Sequence, residues 1–310
     1  MERQTKFYVL ISVYYKENPA FLDRALGSVL NQTCKADEWV IVKDGIISEQ
    51  LQYVIDKYSY IEGVNIKQIQ LDSNMGLGIA LSYGVEACTN ELIARMDTDD
   101  IAVPRRFELQ LKEFEENPDL DICGGHIIEF EGDESEFVAE RRVPLTHEEI
   151  AQYQKNRSAF NHMTVMFRKS KVLESGNYKD APLMEDDMLW VDMLLHGARC
   201  KNIDEYLCKA RTNKDMIARR GGLSYFRKYK RTRKAIYKTG FISRYQYDKT
   251  NFIQFLVCIM PVWLRKFVFF KLIHKRPPKS EKILMLTSAK RAVSDDKSGK
   301  PDNNPNRSGL

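Results

Sequence analysis

The alternation of apolar runs with amphipathic stretches over the first hundred residues limits the fold more than any other feature. "FYVLISVYY" is a continuous, β-prone apolar run. "NPAFLDRALGSVLNQ" follows, with Asn18 as N-cap, Pro19 at the first helical position and apolar residues at helical spacing. "EWVIVKDG" (strand), "SEQLQYVIDKYS" (helix), "NIKQIQL" (strand), "GLGIALSYGVEAC" (helix) and "ELIARMD" (strand) continue the pattern. Strands alternating with helices predict an α/β fold, a mostly parallel sheet with flanking helices. Ligands of such sheets bind beyond the carboxyl ends of the strands. Asp44, ending the second strand, and Asp97 to Asp100, ending the fourth, fall on that edge.

The middle of the chain is more mixed. "PRRFELQLKEFEEN" reads as a helix opened by Pro104, "DICGGHIIEFEGDE" as a strand running into an acidic turn, and "HMTVMFRKS" as another strand. "EDDMLWVDMLLHG" reads as a helix stopped by Gly197, and "NIDEYLCKART" as a last strand. Residues 1–218 are therefore expected to form one domain.

Charge then changes. Between Arg219 and Arg276 stand sixteen Lys or Arg and a single acid, Asp248. That segment's +15 within a net +5 leaves the remainder of the chain at −10. An acidic body with a basic arm implies two different partners. In residues 219–276 the cations are interleaved with Phe, Tyr, Trp, Leu and Ile, which suits an anionic membrane surface better than nucleic acid. The uncharged stretch from Asn251 to Leu264 is shorter than the ~20 residues of a spanning helix, and Pro261 interrupts it. A helix lying in the membrane interface is expected; a plain core helix from Phe252 to Trp263 is the alternative. Residues 277–310 are polar and expected to be disordered. The start of the chain lacks a signal peptide's apolar core, and the six cysteines form no C-x-x-C pair. Both features suggest a cytoplasmic, reducing location without structural zinc.

The run "RMDTDD" places Asp97, Asp99 and Asp100 within four positions. Carboxylates so close repel one another and raise each other's pKa, so a positive partner is required. A hard divalent cation, Mn2+ or Mg2+, would accept these oxygens and leave positions open for phosphate. A solvated turn with Asp as helix N-cap is the alternative.

"ISVYYKENPAFLDRALGSVLNQT", "VIVKDG", "NMGLGIALSYGVEACTNELIARMDTDD", "HMTVMFRKS" and "EDDMLWVDMLLHGARCKNIDEYL" occur in one order, and together they resemble the glycosyltransferases of family 2, with the GT-A fold. The resemblance spans roughly residues 5 to 212. It implies that Asp44 hydrogen-bonds the uracil of a UDP-sugar and that Tyr14 and Glu17 line base and ribose. Asp97 would face ribose or metal, and Asp99 would be the principal metal ligand. Lys43 stands where the family often has a further Asp. In "MEDDMLW" the resemblance makes Glu185 and Asp186 the Glu-Asp pair, with Asp186 the base; Asp187 competes for that role, and Met188 replaces the usual second Asp. The bland alternatives are an ordinary turn at Asp44-Gly45 and an acidic helix start at 185–187. His162 is read equally as a pocket residue or a structural hydrogen-bonder, and Arg95 as an ion-pair partner of the carboxylates. Arg219 and Arg220, before Gly221-Gly222, suit a loop closing over a diphosphate, or a hinge.

The implied activity is inverting, metal-dependent transfer of a hexose, glucose or galactose, from a UDP-sugar. The implied acceptor is a polyprenol-diphosphate-linked GlcNAc, with a β-1,3 linkage, in bacterial O-antigen or capsule assembly. That places the protein on the cytoplasmic face of the inner membrane, peripheral to anionic lipid, with no nucleic acid as partner. Two rivals are a nucleotidyltransferase and a non-catalytic assembly partner of the same fold. The first lacks its glycine-rich loop in "SVYYKENP"; the second should have lost the carboxylates.

Overall fold

β1 (Phe7–Val13) is buried at six of its seven positions, as expected of a parallel strand covered on both faces. It pairs in parallel with β2 (Glu38–Lys43) on one side and β4 (Leu92–Met96) on the other, and β2 pairs in parallel with β3 (Ile66–Gln70). The crossovers are α1 (Pro19–Leu30), α2 (Glu49–Ser59) and α3 (Leu77–Ala87). Asn18 caps α1 as its sequence predicts, its Oδ1 accepting from Ala20 N–H at 2.9 Å. This computed structural model describes residues 5–212 and 220–268, all within one compact unit, Met1–Pro277.

Beyond β4 the sheet becomes mixed. β5 (Ile101–Ala102), α4 (Arg106–Glu116), β6 (Ile122–Phe130), β7 (Phe137–Arg141), α5 (His147–Gln154), β8 (Met166–Arg168), α6 (Lys169–Glu174), α7 (Glu185–Leu195) and β9 (Cys200–Arg211) follow in order. The strands run β3-β2-β1-β4-β8-β6-β9-β5, with β7 on β6. β8 is antiparallel to β4, whereas β6 and β9 are parallel. The stretch "HMTVMFRKS" is strand only at its end. His162–Thr164 is a 3-10 turn, because Thr164 Oγ1 donates back to Asn161 O at 2.7 Å and competes with ladder bonding. α4 likewise starts after Pro104, at Arg106, whose N–H closes a turn on Val103 O at 2.9 Å. β7 and α5 have no counterpart in the sequence reading.

Alternate residues of β1 feed two cores. Val9 and Ile11 pack with Leu22, Leu26, Ile55 and Phe107 on one face; Leu10 packs with Val42, Leu81, Val85 and Trp190 on the other. α8 (Gly222–Lys238) and α9 (Arg244–Ile259) follow, then α10 (Val262–Val268). Ile236 and Ile242 join Met184, Met188 and Val191 in a third cluster, which seats α8 on α7. Arg233 is buried and donates to Lys155 O at 2.8 Å. Arg265 on α10 donates to the carbonyls of Val257, Cys258 and Met260, closing the end of α9. No helix among the described residues is long and apolar enough to cross a membrane. Five of the six cysteines, Cys88, Cys123, Cys200, Cys208 and Cys258, are buried thiols.

Candidate active site

A cleft of about 680 Å³ opens where β4 ends, lined among others by Glu17, Asp97, Thr98, Asp99, Asp100, Glu129, Arg141, Tyr153, Arg157, Arg211 and Arg220. The carboxyl ends of the parallel strands build its acidic side. β1 delivers Glu17 through a turn in which Glu17 N–H donates to Tyr14 O at 3.1 Å. β4 delivers Asp97 to Asp100. Arg95, buried on β4 itself, pairs through Nη1 with Asp97 Oδ2, which supplies part of the positive charge that the sequence demands. Asp100 is buried and accepts from Arg211 N–H at 2.8 Å, tying the exit of β4 to β9. Asp99 is half-buried and makes no ion pair among the described residues.

The electrostatics follow from this crowding. Burial first, then the Asp97 charge, pushes Asp99 up to about 6. Burial, with Asp99 and Asp97 adding to it, raises Glu17 to about 7 despite a hydrogen bond from Thr98. Asp100 is raised by burial and by both neighbours. The site resists carrying all its negative charges at once.

Arg106 holds this strand exit from behind. It is fully buried without a carboxylate partner among the described residues, and donates to Arg95 O at 2.7 Å, to Gln110 Oε1 at 3.0 Å and to the sulfurs of Met96 and Cys208. Burial lowers its pKa. The sequence reading passed over it, since "PRRF" looks like a solvated helix start.

Asp44 lies outside the cleft lining. It is buried, and Met75 N–H donates to its Oδ1 at 2.6 Å while Gly76 N–H and Asn74 Nδ2 donate to its Oδ2 at 3.0 Å each. It therefore anchors the loop that opens α3. Gly45 after it has φ 84°, and a Cβ there would meet Asn74 N at 2.7 Å, so only glycine fits. Tyr14 is also outside the lining and meets Tyr15 edge-on at 5.8 Å. Arg219 lies outside the described residues.

Glu185, Asp186 and Asp187 form the first turn of α7. They do not line the cleft, but their charges reach it: Asp97 raises the Glu185 pKa after burial does, and Asp186 and Asp187 act on Arg141. Asp187 accepts from Gln154 Nε2 at 2.8 Å. Asp186 is raised well above the usual carboxylate range by burial, then by Asp187 and Glu185. Leu183, two residues before the triplet, has φ 75°, a strained backbone for a side chain of its size. Gly78 of α3 lets the neighbouring segment approach, since a Cβ would lie 2.3 Å from Lys179 O and 3.0 Å from Glu185 Cβ. His162 shares a hydrogen bond with Tyr178 Oη at 2.8 Å, and burial keeps it neutral.

A parallel half-sheet whose strand exits carry paired carboxylates, beside a second acidic triplet on a helix start, defines a sugar-nucleotide transferase of the GT-A kind. The sequence model for glycosyl transferase family 2 matches residues 8–175, and the chain belongs to that family of glycosyltransferases. It is 38% identical over 268 residues, 86% of this chain and 98% of the relative, to the amylovoran biosynthesis glycosyltransferase AmsE of Erwinia amylovora. It is 34% identical over 270 residues, 87% and 97% of the two chains, to the UDP-Gal:alpha-D-GlcNAc-diphosphoundecaprenol beta-1,3-galactosyltransferase of Escherichia coli. Among solved structures, S. aureus TarS 1-349 in complex with UDP-GlcNAc superposes with a TM-score of 0.55 at 15% identity, covering 85% of this chain and 70% of that one. The mannosyltransferase PcManGT from Pyrobaculum calidifontis, in complex with GDP-Man and Mn2+, superposes at 0.57 and 12% identity, covering 94% and 81%. These two show the fold, and the sequence relatives place the chain among bacterial polysaccharide glycosyltransferases.

Proposed function

We propose that the chain transfers a hexose, galactose or glucose, from a UDP-sugar to a polyprenol-diphosphate-linked GlcNAc, with inversion and a β-1,3 linkage, in O-antigen or capsule assembly. The observation that carries this reading is the collinear likeness to the Escherichia coli galactosyltransferase over 97% of its length, joined to the acidic cleft at the strand exits. Asp97 and Asp99 would hold Mn2+ or Mg2+. Their hard oxygens fit such an ion, and Asp99 has no cationic partner of its own among the described residues. No three His, Cys, Asp or Glu side chains converge as a complete ligand set among the described residues, so phosphate oxygens and water would fill the remaining positions. When bound, the cation neutralises charge on the departing diphosphate.

Asp186 is the base. It takes the proton of the acceptor hydroxyl while that oxygen bonds to the anomeric carbon and the bond from that carbon to UDP breaks. The Gln154 bond leaves Asp187 the more restrained of the two. Glu17 would line the nucleotide pocket, as would Tyr14. Asp44 would reach uracil only with what its three loop bonds leave, and Arg219 and Arg220 would close over phosphate. The acceptor's lipid brings the protein to the cytoplasmic face of the inner membrane. What supports docking there is α9, whose packed side carries Thr250, Asn251 and Cys258 while Phe252, Ile253 and Ile259 stand exposed beside Trp263 and Phe267 of α10. That inverted arrangement suits an anionic lipid interface.

The test is incubation with Mn2+, a panel of UDP-sugars and a synthetic GlcNAc-diphosphate-lipid. Transfer from UDP-Gal or UDP-Glc is expected, lost on chelation and reduced at least ~10³-fold in Asp99→Ala. Full activity of that variant in chelator sinks the metal role, and no product with any donor sinks the substrate reading.

A further inference from the structure

Five arginines line the cleft: Arg141, Arg142, Arg157, Arg211 and Arg220. Arg142 is engaged by Glu140, Asp204 and Tyr206, and Arg211 by Asp99 O and the faces of Phe21 and Phe130. Arg141, Arg157 and Arg220 are different, because none makes an ion pair among the described residues. Arg141, at the end of β7, donates through Nη2 to Ser158 O at 2.9 Å, but its Nε is shielded from solvent and has no partner. Arg157 lies over the Tyr153 ring at 5.5 Å and is otherwise exposed. The Arg157 guanidinium is near enough to depress the Arg141 pKa, after burial. Like charges that line one cleft call for an anion with several oxygens.

We propose that Arg141 and Arg157 form a second anion site in the cleft, which takes the diphosphate of the lipid-linked acceptor. The donor's diphosphate has its own place at Asp97 and Asp99, where four acids repel any phosphate not accompanied by a cation. The arginines attract phosphate without one. They also lie on the side of the cleft next to α7, where Arg141 feels the charges of Asp186 and Asp187. An acceptor held there by its diphosphate would present its sugar to the base. The inference rests on the proposed acceptor class but not on the identity of either sugar.

Equilibrium binding to the full chain, saturated with UDP and Mn2+, tests it. The probes are GlcNAc-α-diphosphate on a phenoxyundecyl chain and the same sugar on the same chain without diphosphate. The wild type is expected to prefer the diphosphate probe by about tenfold or more. Arg157→Ala and Arg141→Gln should each remove most of that preference and leave the Kd for UDP within about twofold; Arg157→Lys should restore part of it. Arg157 is exposed, so its variants are expected to fold. An absent wild-type preference, or one unchanged in both variants, overturns the proposal. So does UDP affinity falling in step with acceptor affinity, which would assign the arginines to the donor. A preference that persists when no UDP-sugar is turned over would sink the transfer reading and leave the anion site standing.

Discussion

Asp186 and Asp187 are adjacent and differently held, which separates their expected behaviour. Asp186→Asn should keep UDP-sugar affinity and lose ~10²–10⁴-fold in kcat. If Asp187→Asn alone does so, the base is the residue bonded to Gln154. Glu17, at about 7, and Asp99, at about 6, give a second expectation. Both bind protons more readily in the folded than in the unfolded chain, so stability falls as pH rises through their folded values. In chelator, Tm should rise by roughly 2 °C between pH 8 and pH 6.5, and Glu17→Gln should flatten that slope. Below pH 6.5 His162 and His126 oppose this trend, because burial holds them neutral and the unfolded chain takes their protons first. A Tm that does not change from pH 8 to 6.5 would mean the carboxylates are better solvated than their burial indicates. Carboxylates lowered by partners, such as Glu108 and Glu174, act only at more acid pH.

At the scale of elements, the segment entering α7 is the strained one. Leu183→Gly should relieve about 1 kcal/mol of left-handed strain, visible as a higher Tm, while kcat falls because the acidic triplet is aimed less firmly. A lower Tm would mean that the Leu183 side chain contributes more than its backbone costs. This region also shows what was legible in the chain. Apolar β-prone runs alternating with helical patterns announced β1 to β4 and the helices between them, and with them the placing of Asp44 and Asp97 to Asp100 on one edge. Of the later strands, β6, β9 and the end of β8 were legible, but β7 was not, because "FVAER" has no strong alternation and, among the described residues, it pairs with β6 alone. With β7 went Arg141, and the basic wall of the cleft was missed. Arg106 was hidden for another reason: local patterning treats arginine as solvated, and only tertiary contacts reveal a guanidinium bonded to carbonyls inside a core, whereas Arg95 was legible from its place beside Asp97. Asp44 was found as a strand-end acid, but its service to the 74–76 loop depends on a contact thirty residues away.

For the whole molecule, the exposed aromatic rim of α9 and α10 sets the last expectation. Trp263 and Phe252 are 71% and 63% exposed. The wild type should co-sediment with vesicles rich in anionic lipid and less so with neutral ones, and Trp263→Ala combined with Phe252→Ala should weaken that binding about tenfold or more. Unchanged sedimentation would remove these helices from any role at a bilayer. The packing of Ile236 and Ile242 against Met184 and Met188 has a consequence of its own. Met184 and Met188 flank the Glu185–Asp187 turn on either side. Under the roles proposed for this arm and for Asp186, a push on α8 would pass through that packing to the proton acceptor, and the lipid phase in which the acceptor dissolves would be mechanically joined to the chemistry performed on it.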